Sequence, residues 1–172
     1  DRKLEESRRM LISLCDTSDI NRLYQEVSLA LKSSESIAPY IGRLSSRLEK
    51  DSSLTVHDKA ILSYLLSLSY EKVGNRDKAL YSMIRSAEYD LSTPVREHKS
   101  LYELSAMLYE RGDIERAYRY LSRSVDDLFM TKARVQMQSL ERLLPVIASA
   151  YNAKKESDSN KLKHSLSAIV VV

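Results

Sequence analysis

The chain is poor in the residues that punctuate or cross-link a fold. Its 172 residues include three glycines, three prolines, one cysteine, one phenylalanine and no tryptophan. An all-β chain would need many more turn residues, so helices joined by short turns are favoured. Cys15 stands alone, which excludes a disulfide framework and a thiolate zinc cluster and leaves the redox compartment undecided. His57, His98 and His164 are widely separated, and no H-E-x-x-H motif occurs. Gly42, Gly74 and Gly112 lie too far apart to form a phosphate-cradling loop. No nucleophile, base and orienting acid converge. The sequence therefore offers no catalytic, cofactor-binding or metal-binding residues, and it reads as non-catalytic.

One-signed charge is also missing. The 27 basic and 24 acidic residues leave a formal charge of +3 and are interspersed along the chain, so nucleic-acid binding has no compositional support. The length suits one domain with a core of its own. The chain opens at Asp1 without a methionine, from which a longer parent protein or a removed leader is expected. It closes on Leu166, Ala168, Ile169, Val170, Val171 and Val172, an apolar run much shorter than the roughly 20 residues of a membrane span. That run reads either as the first turns of a transmembrane helix or as a small strand or sticky tail.

What is present is helical periodicity. Ile20, Leu23, Val27 and Leu31 recur at steps of three and four, as do Ile37, Ile41, Leu44 and Leu48. A shorter helix is expected around Leu4, Leu11 and Leu14. Pro39 falls in the first turn of its helix, where its missing N–H costs nothing. Thr55 and Asp58 have the spacing of a capping box, which predicts a long helix from there to Gly74. Pro145 interrupts the run from Ala133 to Tyr151 and predicts a kink or break between Glu141 and Pro145.

Self-comparison reveals a repeat. Residues 64–90 laid over 102–128, an offset of 38, match Tyr64 with Tyr102, Leu66 with Leu104, Ser67 with Ser105, Gly74 with Gly112 and Ala79 with Ala117. Arg85 with Arg123 and Ser86 with Ser124 follow. Each unit reads as a helical hairpin whose glycine takes a positive φ at the turn and whose alanine admits the second helix closely. A hairpin cannot bury its apolar face alone, so neighbours must stack.

This spacing resembles the tetratricopeptide repeat, W-x2-L-G-x2-Y then A-x3-F then P. The corresponding residues are Ser63, Leu66, Ser67, Tyr70, Ala79 and Met83 in the first unit, and Leu101, Leu104, Ser105, Leu108, Ala117 and Leu121 in the second. The period exceeds the usual value of about 34, and the surplus falls around Asp90 to Val95, where Thr93 would cap and Pro94 would start the next helix. The resemblance implies an all-α fold, a right-handed superhelix or solenoid of antiparallel helical hairpins. Residues 1–54 would be N-terminal helices forming a degenerate repeat or cap, 55–130 two hairpins, 131–156 a kinked C-terminal capping helix, and 157–172 a linker leading to the apolar run.

Residues 55–152 are similar, more closely, to an uncharacterised family of bacterial tetratricopeptide-repeat membrane proteins. Tyr109 to Tyr120, Ala133-Arg134 and Leu143 to Ile147 carry the likeness. In that family an exported repeat region precedes one transmembrane helix and a cytoplasmic segment. The resemblance implies an extracytoplasmic, periplasmic sensor or scaffold region of a membrane-anchored regulator, with Ile169 to Val172 beginning the span. A soluble cytoplasmic adaptor or peptide receptor of the same fold is the alternative.

Eleven tyrosines are the one unusual abundance. Tyr70, Tyr89 and Tyr118 read as packing. In tetratricopeptide folds the first helix of each hairpin lines the concave surface, which here would place Tyr64, Leu68 and Lys72 in one unit beside Lys99, Tyr102 and Tyr109 in the next. Rigid rings with charges at the edge suit a protein or peptide partner. With no asparagine on either face, a carboxylate clamp for peptide tails is not expected. Self-association through the open end of the stack is the other contact such a repeat leaves available.

Overall fold

The computed structural model describes residues 6, 7, 10, 20–93, 99–131 and 134–170, without the side chains of 128–131, 134–140 and 164–170. Seven helices span these residues: α1 (Ile20–Lys32), α2 (Ala38–Lys50), α3 (Val56–Lys72), α4 (Arg76–Leu91), α5 (Lys99–Glu110), α6 (Ile114–Thr131) and α7 (Arg134–Val170). No strand occurs among the described residues, so the all-α expectation holds. Of the helix expected around Leu4, Leu11 and Leu14, those three lie outside them and Glu6, Ser7 and Met10 are helical; Cys15, Pro94 and His98 also lie outside.

The chain divides into two compact units, Asp1–Ser100 and Leu101–Val172. In the first, α3 is central: α4 packs on it as the other arm of a hairpin, and α1 and α2 both pack against it as well. Its buried residues, among them Leu62, Tyr64, Leu65, Leu66 and Ser69, therefore point in every direction around the helix. The apolar stripe of α1, Leu23, Val27 and Ala30, meets Ile37, Leu44 and Leu54 over the α3 leucines. Each leucine so buried contributes about 1.5–3 kcal/mol of transfer free energy. Glu26 ties α1 to α2 by accepting from Arg22 and from Arg43, both at 2.9 Å. Burial pushes the Glu26 carboxyl up, and the two arginine hydrogen bonds more than offset this, leaving it below its ordinary value.

The two hairpin turns are built alike. At the end of α3, Asn75 N–H donates to Tyr70 C=O and Gly74 N–H to Glu71 C=O, both at 2.9 Å. At the end of α5, Asp113 N–H donates to Leu108 C=O and Gly112 N–H to Tyr109 C=O at the same distance. This pairing of bonds needs a left-handed residue, and Gly74 and Gly112 supply φ of 76° and 78°. The residue after each glycine then caps the next helix: Asn75 Oδ1 accepts from Lys78 N–H and Asp113 Oδ1 from Arg116 N–H, each at 3.2 Å. The expected box at α3 is present too, with Asp58 N–H donating to Thr55 Oγ1 at 3.2 Å and Thr55 N–H to the Asp58 carboxylate at 2.9 Å.

Two serines staple α3 to α4. Ser67 Oγ donates to Ala79 C=O at 2.7 Å and Ser86 Oγ to Ala60 C=O at 2.9 Å, all four residues being buried. The Thr93 hydroxyl donates back to Asp90 C=O at 3.0 Å, and the cap expected of it on the next helix falls on residues outside those described.

In the second unit α6 packs against α7. Leu101, Leu104 and Leu108 of α5, Ala117 and Leu121 of α6 and Ile147 of α7 are buried there. The rings of Tyr118 and Tyr151 stack with centroids 4.2 Å apart and planes 5° from parallel. Asp127, buried, accepts from Arg123 Nε at 3.1 Å. α7 runs uninterrupted through Pro145, so the helix does not break there. Glu141, Arg142, Pro145 and Val146 are exposed, so the carbonyl that Pro145 leaves without its N–H lies on the water-facing side of the helix. The segment expected as a linker is likewise helical to Val170, with every residue from Asn152 to Lys163 exposed.

Candidate partner-binding site

The sequence places Tyr64, Leu68 and Lys72 along one face of α3, to be filled by a partner or by flanking helices. In the structure helices of the chain cover much of it. Because α1 and α2 cover α3 on the sides that α4 does not, the Tyr64 ring is only 9% exposed and Leu68 is half-buried. Lys72, two turns beyond Tyr64, is engaged elsewhere: its ammonium donates to the carbonyls of Ala30 at 2.5 Å, Leu31 at 3.3 Å and Ser33 at 2.7 Å. The Ala30 and Leu31 carbonyls lie in the last turn of α1 and that of Ser33 just beyond it, so Lys72 closes that helix as a tertiary cap.

Lys99 does meet Tyr64. Its Nζ lies 4.8 Å from the ring centroid, over the electron-rich face. The pair borders a notch of about 80 Å³ in the first unit, whose walls include Tyr24, Ile61, Asp90 and Ser100. Ser100 Oγ donates a short hydrogen bond to the Asp90 carboxylate. Ser100 is buried, Tyr24, Ile61 and Asp90 are half-buried, and Lys99 is exposed. Sequence reasoning missed Tyr24 and Asp90, since neither belongs to the first helix of a hairpin.

Tyr102 and Tyr109 belong to the second unit. They lie seven residues apart on α5, two turns along one face, and both are half-buried. Burial pushes the Tyr102 hydroxyl above its ordinary value, the Glu103 charge adds to this, and Arg142 of α7 opposes it. The three tyrosines assigned to packing also have settled neighbours. Tyr70 packs on the core beneath the Lys78 ammonium, Tyr89 accepts from Arg85 at 2.8 Å, and Tyr118 stacks on Tyr151.

A larger, shallow depression follows α2, walled by Pro39, Gly42, Arg43, Ser46, Arg47 and Lys50. Arg43 is paired there with Glu26, and Arg47 with Asp51 at 3.5 Å. Among the described residues no group of three or more histidine, cysteine or acidic side chains is placed to hold a metal ion, and no helix is long and apolar enough to cross a membrane.

A family model described as the SusR N-terminal TPR domain matches residues 1–142. The matched stretch takes in α1 to α6 and the beginning of α7. No curated protein and no solved structure matches the chain.

Proposed function

The chain belongs to the SusR N-terminal TPR family, and from that premise we propose that it is a non-catalytic module that binds a protein or peptide, serving as the extracytoplasmic sensor or scaffold region of a membrane-anchored bacterial regulator. Tetratricopeptide domains are typically non-catalytic scaffolds for protein–protein interaction. The observation that carries the reading is the α5 face. Tyr102 and Tyr109 present half-buried rings on one rigid helix, and such rings supply contact energy at little entropic cost. The regulator half of the reading draws on α7. Its segment from Asn152 to Lys163 is exposed throughout, while the same helix continues upstream to the Tyr118 and Tyr151 stack. A change at that stack would reach the C-terminal apolar run along one unbroken helix.

The test of binding is a crosslinking and capture screen comparing the wild type with the double variant Tyr102→Ala, Tyr109→Ala. Capture should fall at least tenfold, since interface aromatics commonly contribute about 2 kcal/mol or more, while thermal melts show the variant still folded. Equal capture by both removes α5 as the working face. Location is tested separately with Ser159→Cys in a Cys15→Ser background. Labelling by a membrane-impermeant thiol reagent in intact cells is the expected result, and labelling only after lysis would leave the cytoplasmic adaptor.

A further inference from the structure

The notch beside Tyr64 holds one acid and one base that are not equally fixed. Asp90 is half-buried and held by the hydroxyl of buried Ser100. Lys99 is exposed and rests its ammonium on the Tyr64 ring, 4.8 Å from the centroid. An aromatic face next to a fixed carboxylate attracts a cation by the ring quadrupole and by direct charge. The notch is small, about 80 Å³, which suits the head of a side chain. Tyr24 and Ile61 add an aromatic and an aliphatic wall that suits a methylene stem.

We propose that this notch is a seat for a cationic side chain of the partner, a lysine or arginine, and that Lys99 is its built-in stand-in. The proposal rests on the binding-module reading and names the chemistry that the first unit recognises. The argument for a cation over an anion is which ion can leave. Displacing Asp90 would strip Ser100, a buried hydroxyl, of its acceptor. Displacing Lys99 costs only a contact at an exposed site and returns its ammonium to water. An incoming cation thus exchanges with Lys99 on the Tyr64 ring, whereas an incoming carboxylate would meet Asp90 in the same small space.

The test is an NMR titration of the whole chain with n-butylammonium, n-butanol and butyrate at matched ionic strength, read at the amides of Ala60, Tyr64 and Ser100. Butylammonium should shift them saturably, and the neutral and anionic probes should bind at least about tenfold more weakly. Lys99→Met, an exposed substitution, should tighten butylammonium about three- to tenfold by removing the competitor. Asp90→Asn should weaken it by a similar factor. Equal binding of butanol, or butyrate binding that Lys99→Met abolishes, overturns the proposal. Cation selectivity in a chain that captures no partner would keep the seat and remove the binding-module reading; capture without cation selectivity would do the opposite.

Discussion

Ser67 donates its hydroxyl proton to the carbonyl of Ala79 at 2.7 Å, which binds the middle of α3 to the first turn of α4 where Ala79 has no exposed surface. The equivalent Ser105 donates at 2.6 Å to Tyr102 C=O within its own helix. Ser67→Ala should therefore cost about 0.5–1.5 kcal/mol, and Ser105→Ala less, because a bond back to the same helix adds little to its stability. Urea denaturation of both variants checks this. Equal losses would show that the hydroxyl across the hairpin has no special weight.

The three glycines should respond with opposite signs. A Cβ at Gly74 or Gly112 meets nothing within 4 Å, so the only penalty is the positive φ. Gly112→Ala should cost about 1–2 kcal/mol. Gly42 lies within α2, also with nothing within 4 Å of an added Cβ and without a positive φ. There Gly→Ala should stabilise by about 0.5–1 kcal/mol. Thermal melts that moved the same way at both sites would contradict the turn geometry.

Lys72→Met keeps most of the side-chain bulk and removes the ammonium shared by the carbonyls of Ala30, Leu31 and Ser33 at the end of α1. Hydrogen exchange at the end of α1 should quicken about fivefold or more, for a loss of about 1 kcal/mol, with partner capture unchanged. If capture fell while α1 stayed protected, Lys72 would have to be returned to the binding surface.

Acid should weaken the fold over a narrow range. The carboxyl of Asp113 is lowered by its hydrogen bond from Arg116, that of Asp51 by the Ser53 hydroxyl and N–H, and that of Glu26 by its two arginines once burial is overcome. A carboxyl whose folded pKa lies below its unfolded one stabilises fully above the unfolded value and loses this as pH falls through the folded value. The melting temperature should hold down to about pH 5 and drop below pH 4, less steeply in Asp113→Asn. Tyr102 acts at the other end: raised above its ordinary 10.0, it favours folding less as pH climbs past that value. An acid limb identical in Asp113→Asn would show that Asp113 has no part in it.

What the sequence disclosed and what it hid divide along one line. The offset of 38 found both turns, both glycines and the close-packed alanines, because caps, left-handed residues and helix pairing act within one hairpin. Whether the Tyr64 face of α3 stays open depends on where α1 and α2 pack, and periodicity only says that each helix has an apolar side. The cap that Lys72 places on Ala30, 42 residues away, carries no local signal at all. Pro145 does not end α7 for a related reason, since its cost depends on the exposure of the freed carbonyl and not on the residue alone.

Asn75 and Asp113 each serve two helices at once, ending one through the backbone N–H and starting the next through the side-chain oxygen. Such a turn has no spare residue: one insertion would separate the two duties, and one deletion would leave either the carbonyls or the N–H groups without partners. Added length is thus better placed in the stretches between hairpins, where the excess over the common repeat period is already found after Asp90. For anyone grafting a tag or a fluorophore into this protein, those stretches are the permissive positions, and the glycine turns, although exposed at the surface, are closed to it.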